Sequence, residues 1–525
     1  MRPHRKSLAS SGAILIIFSL LEQILHLVNR SVYAGIFGAT QALDVLLLVT
    51  SFVTWFDTIF ILSTRQSLIP NFIEVREKHG EEAAWKLGST IVNSLTVVSL
   101  LIVFISVLFS PHVARLLGAG LDLEAQRLMV ELLRIVAFTT AFRAISALMM
   151  ALLFSYESFT VPHTLRVVGL IAVLSINLLV SPYIGIYGMA IAILVDSIIL
   201  MLGTTFWVWH KGYGYNPLYL NFRDSHLLNF AKVTGPLLIF TMLSKSEQLV
   251  DRFFASFLIA GAVSYLNFGL AVARLPHTIL TTANQALLPR LSTMATHQRR
   301  EKLSDLVYQS MLLQSFLTIP AYIGLLILGR EIIVVLFQHG DFTSVQTAGV
   351  WSVVPWFFGY LLVGTSSTSL SLLLRAYQRT GAIMLVGIFQ VVSNVILNAI
   401  FMFSFSYPGI ALSTSVTLVL QMLLLLYFVR DLLSAPNWMF IFSSLISIII
   451  SCIIMSLVLV FLKSTPLQVI ETGYFEISNI PRLIVFIGVG ATVYSLTALL
   501  LSNPQSTFYR AYLLRMVKSI NRKVN

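Results

Sequence analysis

The chain has 525 residues, 57% of them hydrophobic and only 11% charged, with a mean hydropathy of +0.87. That is too little polar surface to cover a soluble fold of two or three domains, so the composition predicts a polytopic membrane protein. The net charge of +12 does not point to nucleic acid, because the cations are spread over short breaks between apolar runs instead of forming a basic domain.

A helix crossing a bilayer needs roughly 20 apolar residues. Runs of that length number about fourteen, centred near residues 24, 57, 99, 140, 171, 196, 244, 275, 318, 360, 392, 420, 451 and 492. The fold class read from them is all-α, with about 14 transmembrane helices. The first run starts near Ser11, holds Glu22 and Gln23 and lacks a small-x-small cleavage site, which reads as a retained span and not a signal peptide. With the N-terminus inside, cytoplasmic segments hold 22 of the 34 Lys and Arg and the opposite side 5. The positive-inside rule then predicts both termini in the cytoplasm and an even number of spans.

Polar residues inside the spans are the candidate functional groups, since a charge at bilayer depth costs several kcal/mol unless it faces a cavity or a partner. On the first span Glu22, His26, Asn29 and Arg30 follow a helical i, i+4, i+7, i+8 spacing. The second span carries Asp57 and Arg65. The segment after it, NFIEVREKHGEEAAWK (71–86), has the spacing of an amphipathic surface helix and reads as a solvated connector. Glu131, Arg134 and Arg143 lie on the fourth span and Asp196 on the sixth. Glu131 and Arg134 are expected to form a structural ion pair. Arg143, and Arg274 on the eighth span, have no same-helix partner and are expected to line a cavity. His26 taken alone suits packing better than a proton relay.

On the seventh span, KSEQLVDRFF (245–254) interrupts hydrocarbon with charge. Thr241, Ser244, Lys245, Glu247, Gln248, Asp251 and Arg252 fall within an arc of about 160° at 100° per residue, so one face is polar. Asn394 and Asn398 on the eleventh span share a face, with Ser413 and Thr414 on the next. Together with Asp251, the oxygens of Asn394, Asn398 and Thr414 offer ligands for a monovalent cation. Interhelical amide hydrogen bonds are the competing reading. The single cysteine, Cys452, excludes an intramolecular disulfide. The basic, apolar-striped tail RAYLLRMVKSINRKVN suits anionic lipid headgroups.

Shifting the chain against itself by 221 residues brings LLFSY (152–156) onto LLRAY (373–377), Asn177 onto Asn398, Gly188 onto Gly409 and Ala190 onto Ala411. Small slips extend the match: QSLIP (66–70) meets QALLP (285–289), and Gly120 and Gln126 meet Gly340 and Gln346. This predicts two parallel six-helix repeats, 1–215 and 216–435, followed by two additional transmembrane helices and a basic tail in 436–525.

Four stretches, IFGATQALD (36–44), SLIPNFIEVREKHGEEAA (67–84), VDRFFASFLIAGAVSYLNF (250–268) with LLPRLS (287–292), and VVLFQHGDFT (334–343), resemble the MurJ/MviN family of lipid II flippases. That family lies within the multidrug, oligosaccharidyl-lipid and polysaccharide exporters. The resemblance implies a V-shaped bundle working by alternating access, whose cavity takes the headgroup of an undecaprenyl-diphosphate-linked glycan. It also implies headgroup arginines on the first, second and eighth spans. Asp44 falls on the family's acidic position. The first-span arginines are reduced here to Asn29/Arg30, the second span has Asp57 and Arg65 where the family has a proline, arginines and an Ala-Glu-Gly turn, and Arg274 lies about one turn beyond the family's Tyr-Ala-Asp-Arg position.

The expected cavity residues are therefore Arg30, Asp44, Arg65, Arg143, Arg252 and Arg274, with Glu22, His26, Glu247 and Asp251 as coupling groups. The leading function is translocation of a polyprenyl-diphosphate-linked saccharide, first of all lipid II, in a bacterial plasma (inner) membrane. Export of another polysaccharide repeat unit and drug/cation antiport are the alternatives. A glycosyltransferase is disfavoured because the largest outer loop, STPLQVIETGYFEISNIP, lacks a His/Asp cluster. A primary pump is disfavoured because no Gly-x-x-x-x-Gly-Lys-Ser/Thr loop occurs. No organic cofactor is expected, only coupling to a monovalent cation or proton. Membrane lipids and cell-wall synthesis enzymes are the expected partners, and a monomer is the expected state.

Overall fold

The computed structural model describes residues 8–63, 68–221, 245–285, 300–464 and 479–501, with a few positions between 235 and 243. All regular structure among them is helical. Ten helical segments among the described residues are long and apolar enough to cross a membrane. Arg65, Ser244 and the basic tail lie outside the described residues.

The chain divides into two compact units, Met1–Ser264 with Gly340–Phe342, and Tyr265–His339 with Thr343–Asn525. The first contains α1 (Leu8–Phe37), α2 (Gln41–Ser63), α3 (Ile69–His79), α4 (Glu81–Leu108), α5 (Ser110–Leu117), α6 (Leu123–Val136), α7 (Phe138–Ser155), α8 (Thr160–Leu179), α9 (Ser181–Ile184), α10 (Ile186–His210) and α11 (Glu247–Ala255). Next comes α12 (Ala262–Gln285), whose first turn belongs to the first unit. The second unit continues with α13 (Arg300–Phe337), α14 (Ser344–Val353), α15 (Phe358–Leu362), α16 (Gly364–Ala376), α17 (Thr380–Val429), α18 (Trp438–Lys463) and α19 (Asn479–Leu500).

The segment 71–86 is not one solvated helix. Gly80, at φ +86°, separates α3 from α4, a conformation that costs glycine little. Phe72, Val75 and Trp85 are buried in the core of the first unit. There Trp85, Tyr156 and Tyr213 stack with ring centroids 4.3 to 5.9 Å apart. Burial pushes the Tyr156 hydroxyl up to about 12, and it donates to Glu81 at 2.7 Å. The apolar side of the amphipathic pattern thus packs on protein, while its charged side, with Glu74, Lys78, Glu82 and Lys86, stays exposed as expected. Elsewhere the spans present large apolar side chains outward, including Phe104, Leu101 and Ile105 on α4 and Leu457, Val460 and Phe461 on α18. Hydrocarbon solvates such faces, so they need no protein cover.

The internal repeat recurs in backbone geometry. Glu157 and Gln378, 221 residues apart, both take positive φ (56° and 55°). Gly185 (62°, −142°) and Ser406 (56°, −141°) are a second pair at the same offset. Ser406 is the turn that divides the 50-residue α17 into the two expected spans. At that same offset, Asp122 caps α6 and Thr343 opens the capping box of α14.

Each unit also clamps the segment that follows its own last repeat helix. In the first, the Asn216 N–H donates to Ser89 Oγ at 3.0 Å, while Asn93 Nδ2 donates to the Asn216 and Tyr219 carbonyls at 2.9 and 2.8 Å. In the second, the Ser434 N–H donates to Ser304 Oγ at 2.8 Å and Tyr308 donates to the Ser434 carbonyl at 2.9 Å. The same job falls to Asn93 on α4 and Tyr308 on α13, side chains of different chemistry.

Candidate functional site

In the first unit, α1, α2, α7, α8 and α10 enclose two charge groups. Glu22 on α1 meets His163 Nδ1 at 2.7 Å and Arg166 at 3.8 Å, both on α8. Arg143 on α7 donates to Asp57 on α2 at 3.1 Å and lies 3.8 Å from Asp196 on α10. Arg143, expected to line a cavity, thus sits between two carboxylates and is still partly exposed. Asn29 anchors α1 by donating to the Leu170 carbonyl at 3.1 Å. One turn on from His26, Arg30 has no carboxylate within ion-pair distance among the described residues.

Glu131 and Arg134 do not pair with each other. Glu131 accepts from Tyr187 on α10 and Arg134 donates to Ser110 at the start of α5 at 3.2 Å, so each finds its partner on a neighbouring helix.

Asp44 is 2% exposed, and its carboxylate accepts from the Gly261 N–H, the Ser264 N–H and the Ser264 hydroxyl. These donors stand at the start of α12, where the orphan N–H groups and positive dipole end favour an anion. Arg252 is buried and donates to the Leu47 carbonyl on α2. Glu247 is buried on the same short helix, Asp251 is half-buried and Lys245 is exposed.

In the second unit, Arg274 donates to the Tyr360 hydroxyl at 2.6 Å with its guanidinium 4.6 Å from the ring centroid. The hydrogen bond and the cation–π contact orient this half-buried guanidinium. Asn394 and Asn398 are fully buried. Asn398 donates to Asn394 at 3.2 Å and accepts from Ser413, while Thr414 donates to the Ile410 carbonyl at 3.1 Å. The two amides and Ser413 are joined by hydrogen bonds, and Thr414 follows one residue on. Among the described residues no group of three His, Cys, Asp or Glu side chains is placed to hold a metal.

Sequence reasoning missed the partners. The Tyr360 that holds Arg274 carries no pattern on its own helix, and neither does His163 beside Glu22. The second unit also contains an apolar cavity of about 890 Å³, lined by residues such as Leu275, Phe316, Leu325, Met455, Phe486 and Tyr494.

Comparison with known proteins matches residues 33–478 to the model of the lipid II flippase MurJ family. A probable lipid II flippase MurJ of Vibrio cholerae is 27% identical over 448 residues, 80% of this chain and 82% of that protein. The corresponding Thermotoga maritima protein is 26% identical over 408 residues, covering 76% and 81%. Among solved structures, a lipid II flippase MurJ in an inward closed conformation superposes with a TM-score of 0.77 at 23% identity, over 95% of this chain and 100% of that one. An inward-facing multidrug resistance MATE family transporter gives 0.67 at 14% identity, covering 78% and 95%. The family match covers most of the chain, and the fold agrees with it, so the chain belongs to the lipid II flippase MurJ family.

Proposed function

We propose that this chain carries a polyprenyl-diphosphate-linked saccharide, lipid II first of all, from the inner to the outer leaflet of a bacterial plasma membrane by alternating access. Fourteen spans with both termini in the cytoplasm are part of the same reading. The observation that supports it most directly is Arg30, a guanidinium within the apolar first unit that lacks a described carboxylate partner. A diphosphate supplies the missing counter-ion, and a guanidinium fork suits its oxygens. Arg274 adds a second donor already oriented by Tyr360. Without such donors, diphosphate and sugar hydroxyls would lose water with nothing in its place. The apolar cavity of the second unit offers the prenyl chain a protein-lined seat.

Direction comes from a cation gradient in this proposal, with Asp251, Asn394, Asn398 and Thr414 as ligands. One charge crossing 100 mV supplies about 2.3 kcal/mol. In proteoliposomes, collapsing the ion gradients and the potential, or making Asp251→Asn, is expected to slow net transport; unchanged transport under both overturns the coupling.

A second reading, export of another glycan repeat unit, is favoured by the neutralisation of Arg143 by two carboxylates, which leaves fewer cations for a headgroup. Depleting the protein and identifying the lipid-linked precursor that accumulates on the cytoplasmic leaflet separates the two. Lipid II is the expected product, and a different glycan overturns it.

A further inference from the structure

The first unit contains one carboxylate more than its nearest guanidinium can balance. Asp57, Arg143 and Asp196 come from α2, α7 and α10 and meet within their spans. Asp57 is 2% exposed and takes the hydrogen bond from Arg143 at 3.1 Å. Asp196 is held only at 3.8 Å, beyond hydrogen-bond reach, and its side chain keeps 17% exposure. With all three groups charged, the trio carries one net negative charge.

The surroundings offset it only in part: Arg166 of α8 is close enough to act on Asp196, but it is shared with Glu22. Arg166 and His163 of α8 turn to Glu22 of α1. His26 of α1 stands within reach of the Arg143 and Arg166 charges, and Arg30 lies one turn on. On α6, Glu131 is engaged by Tyr187 and Arg134 by Ser110. On α11, Arg252 goes to the Leu47 carbonyl, with Glu247 and Asp251 on the same helix. On α3 and α4, Lys78 pairs with Glu74 and Lys86 with Glu82, both pairs being solvent-exposed.

Two further observations mark Asp196 and Asp57. A Cβ at Gly169 of α8 would overlap Asp196 Oδ1, so the bare glycine is what lets this carboxylate lie against α8. Asp57 Oδ1 is buried and takes no well-formed hydrogen bond, the Thr140 hydroxyl being the only further donor beside this carboxylate among the described residues. Both acids are thus under-compensated in an apolar setting, where an unpaired charge is relieved most simply by neutralisation.

We propose that Asp196 is a proton-binding site, charged and neutral by turns, with Asp57 and Arg143 setting the balance. Asp57 takes the larger share of the guanidinium, and Asp196, looser and reachable by water, takes the proton. A diphosphate drawn to Arg30 adds negative charge to the same interior, so anion binding and proton uptake assist each other, reciprocally by linkage. This second step rests on the anionic-headgroup reading above; the proton site itself does not.

Dicyclohexylcarbodiimide tests the site on the full-length protein, because it reacts with protonated carboxyls in apolar surroundings. The acid proton passes to a carbodiimide nitrogen, the carboxylate oxygen adds to the central carbon, and rearrangement leaves a stable N-acylurea that peptide mass spectrometry locates. Asp196 is expected to be labelled several-fold more than Asp57 at neutral pH. Asp57→Asn is expected to cut that labelling several-fold, because the guanidinium then serves Asp196 alone, and Arg143→Gln is expected to raise it. An unlabelled Asp196, or labelling indifferent to Asp57→Asn in a protein that still purifies as a folded monodisperse species, overturns the proposal. Inorganic pyrophosphate is expected to increase the adduct. If labelling follows the variants but ignores pyrophosphate, the proton site stands and its coupling to the anion falls. Identification of the accumulating precursor decides the substrate separately.

Discussion

The Asp44 carboxylate accepts both the backbone N–H and the hydroxyl of Ser264, at 2.7 and 2.5 Å, across 220 residues of chain. A third donor, the Gly261 N–H, lies at 2.7 Å. Asp44→Ala leaves all three donors buried without an acceptor. The expected loss is about 2–4 kcal/mol, the scale for unsatisfied buried groups and charge-assisted bonds. Asp44→Asn keeps one acceptor oxygen and is expected to fall between alanine and the wild type. Thermal unfolding in detergent gives the order, and an Asp44→Ala protein as stable as wild type would refute the cap.

Tyr494 on α19 donates to the Phe316 carbonyl on α13 at 2.7 Å. That carbonyl lies four residues before Pro320, which has no N–H to offer it. Tyr494→Phe is expected to cost about 1–2 kcal/mol. In Pro320→Ala the helix N–H returns, so the same tyrosine change is expected to cost less. A double-mutant cycle with no coupling energy would contradict this pairing.

Ser406 adopts the positive-φ turn that Gly185 adopts in the first repeat. Ser406→Gly is expected to stabilise the protein by about 1 kcal/mol through relief of backbone strain. Gly185→Ala is expected to destabilise it by a similar amount, although open space surrounds a Cβ there. The measurement is the shift in unfolding temperature of each variant.

Asn93 holds two carbonyls of the segment after α10, whereas Tyr308 holds one carbonyl after α17. Asn93→Ala is expected to speed proteolytic nicking near residues 216–220 more than Tyr308→Phe speeds nicking near residue 434. Time courses of limited proteolysis read both, and equal rates in the two variants would contradict the difference.

Asp431 accepts a two-pronged contact from Arg379 at 3.1 and 2.6 Å, and that hydrogen bonding holds its carboxyl below the usual carboxylate range. A depressed acid stabilises the fold above its unfolded-state range and loses that contribution as pH falls through the folded value. The pair is surface-exposed, so the effect is expected to stay under about 1 kcal/mol and to shrink in salt. Comparing wild type with Asp431→Asn at pH 7 and at acid pH, where the difference should vanish, checks the sign.

The membrane-spanning character, the repeat offset and the family motifs were legible in the one-dimensional pattern. Apolar run length decides whether a helix can cross a bilayer, and a repeated chain carries its turns with it, as the Glu157/Gln378 and Gly185/Ser406 pairs show. The places of Glu22, Arg143, Asp196 and Arg274 on their helices were equally readable from spacing. Their partners were not. Asp44 read as a headgroup contact, yet its carboxylate caps α12; Arg143 read as a cavity cation, yet it lies between Asp57 and Asp196; Glu131 and Arg134 read as a pair, yet each turns to another helix. Spacing along a helix fixes which face a side chain shares, but the charge it meets depends on which helices pack together and on their rotation. Only the tertiary structure decides that.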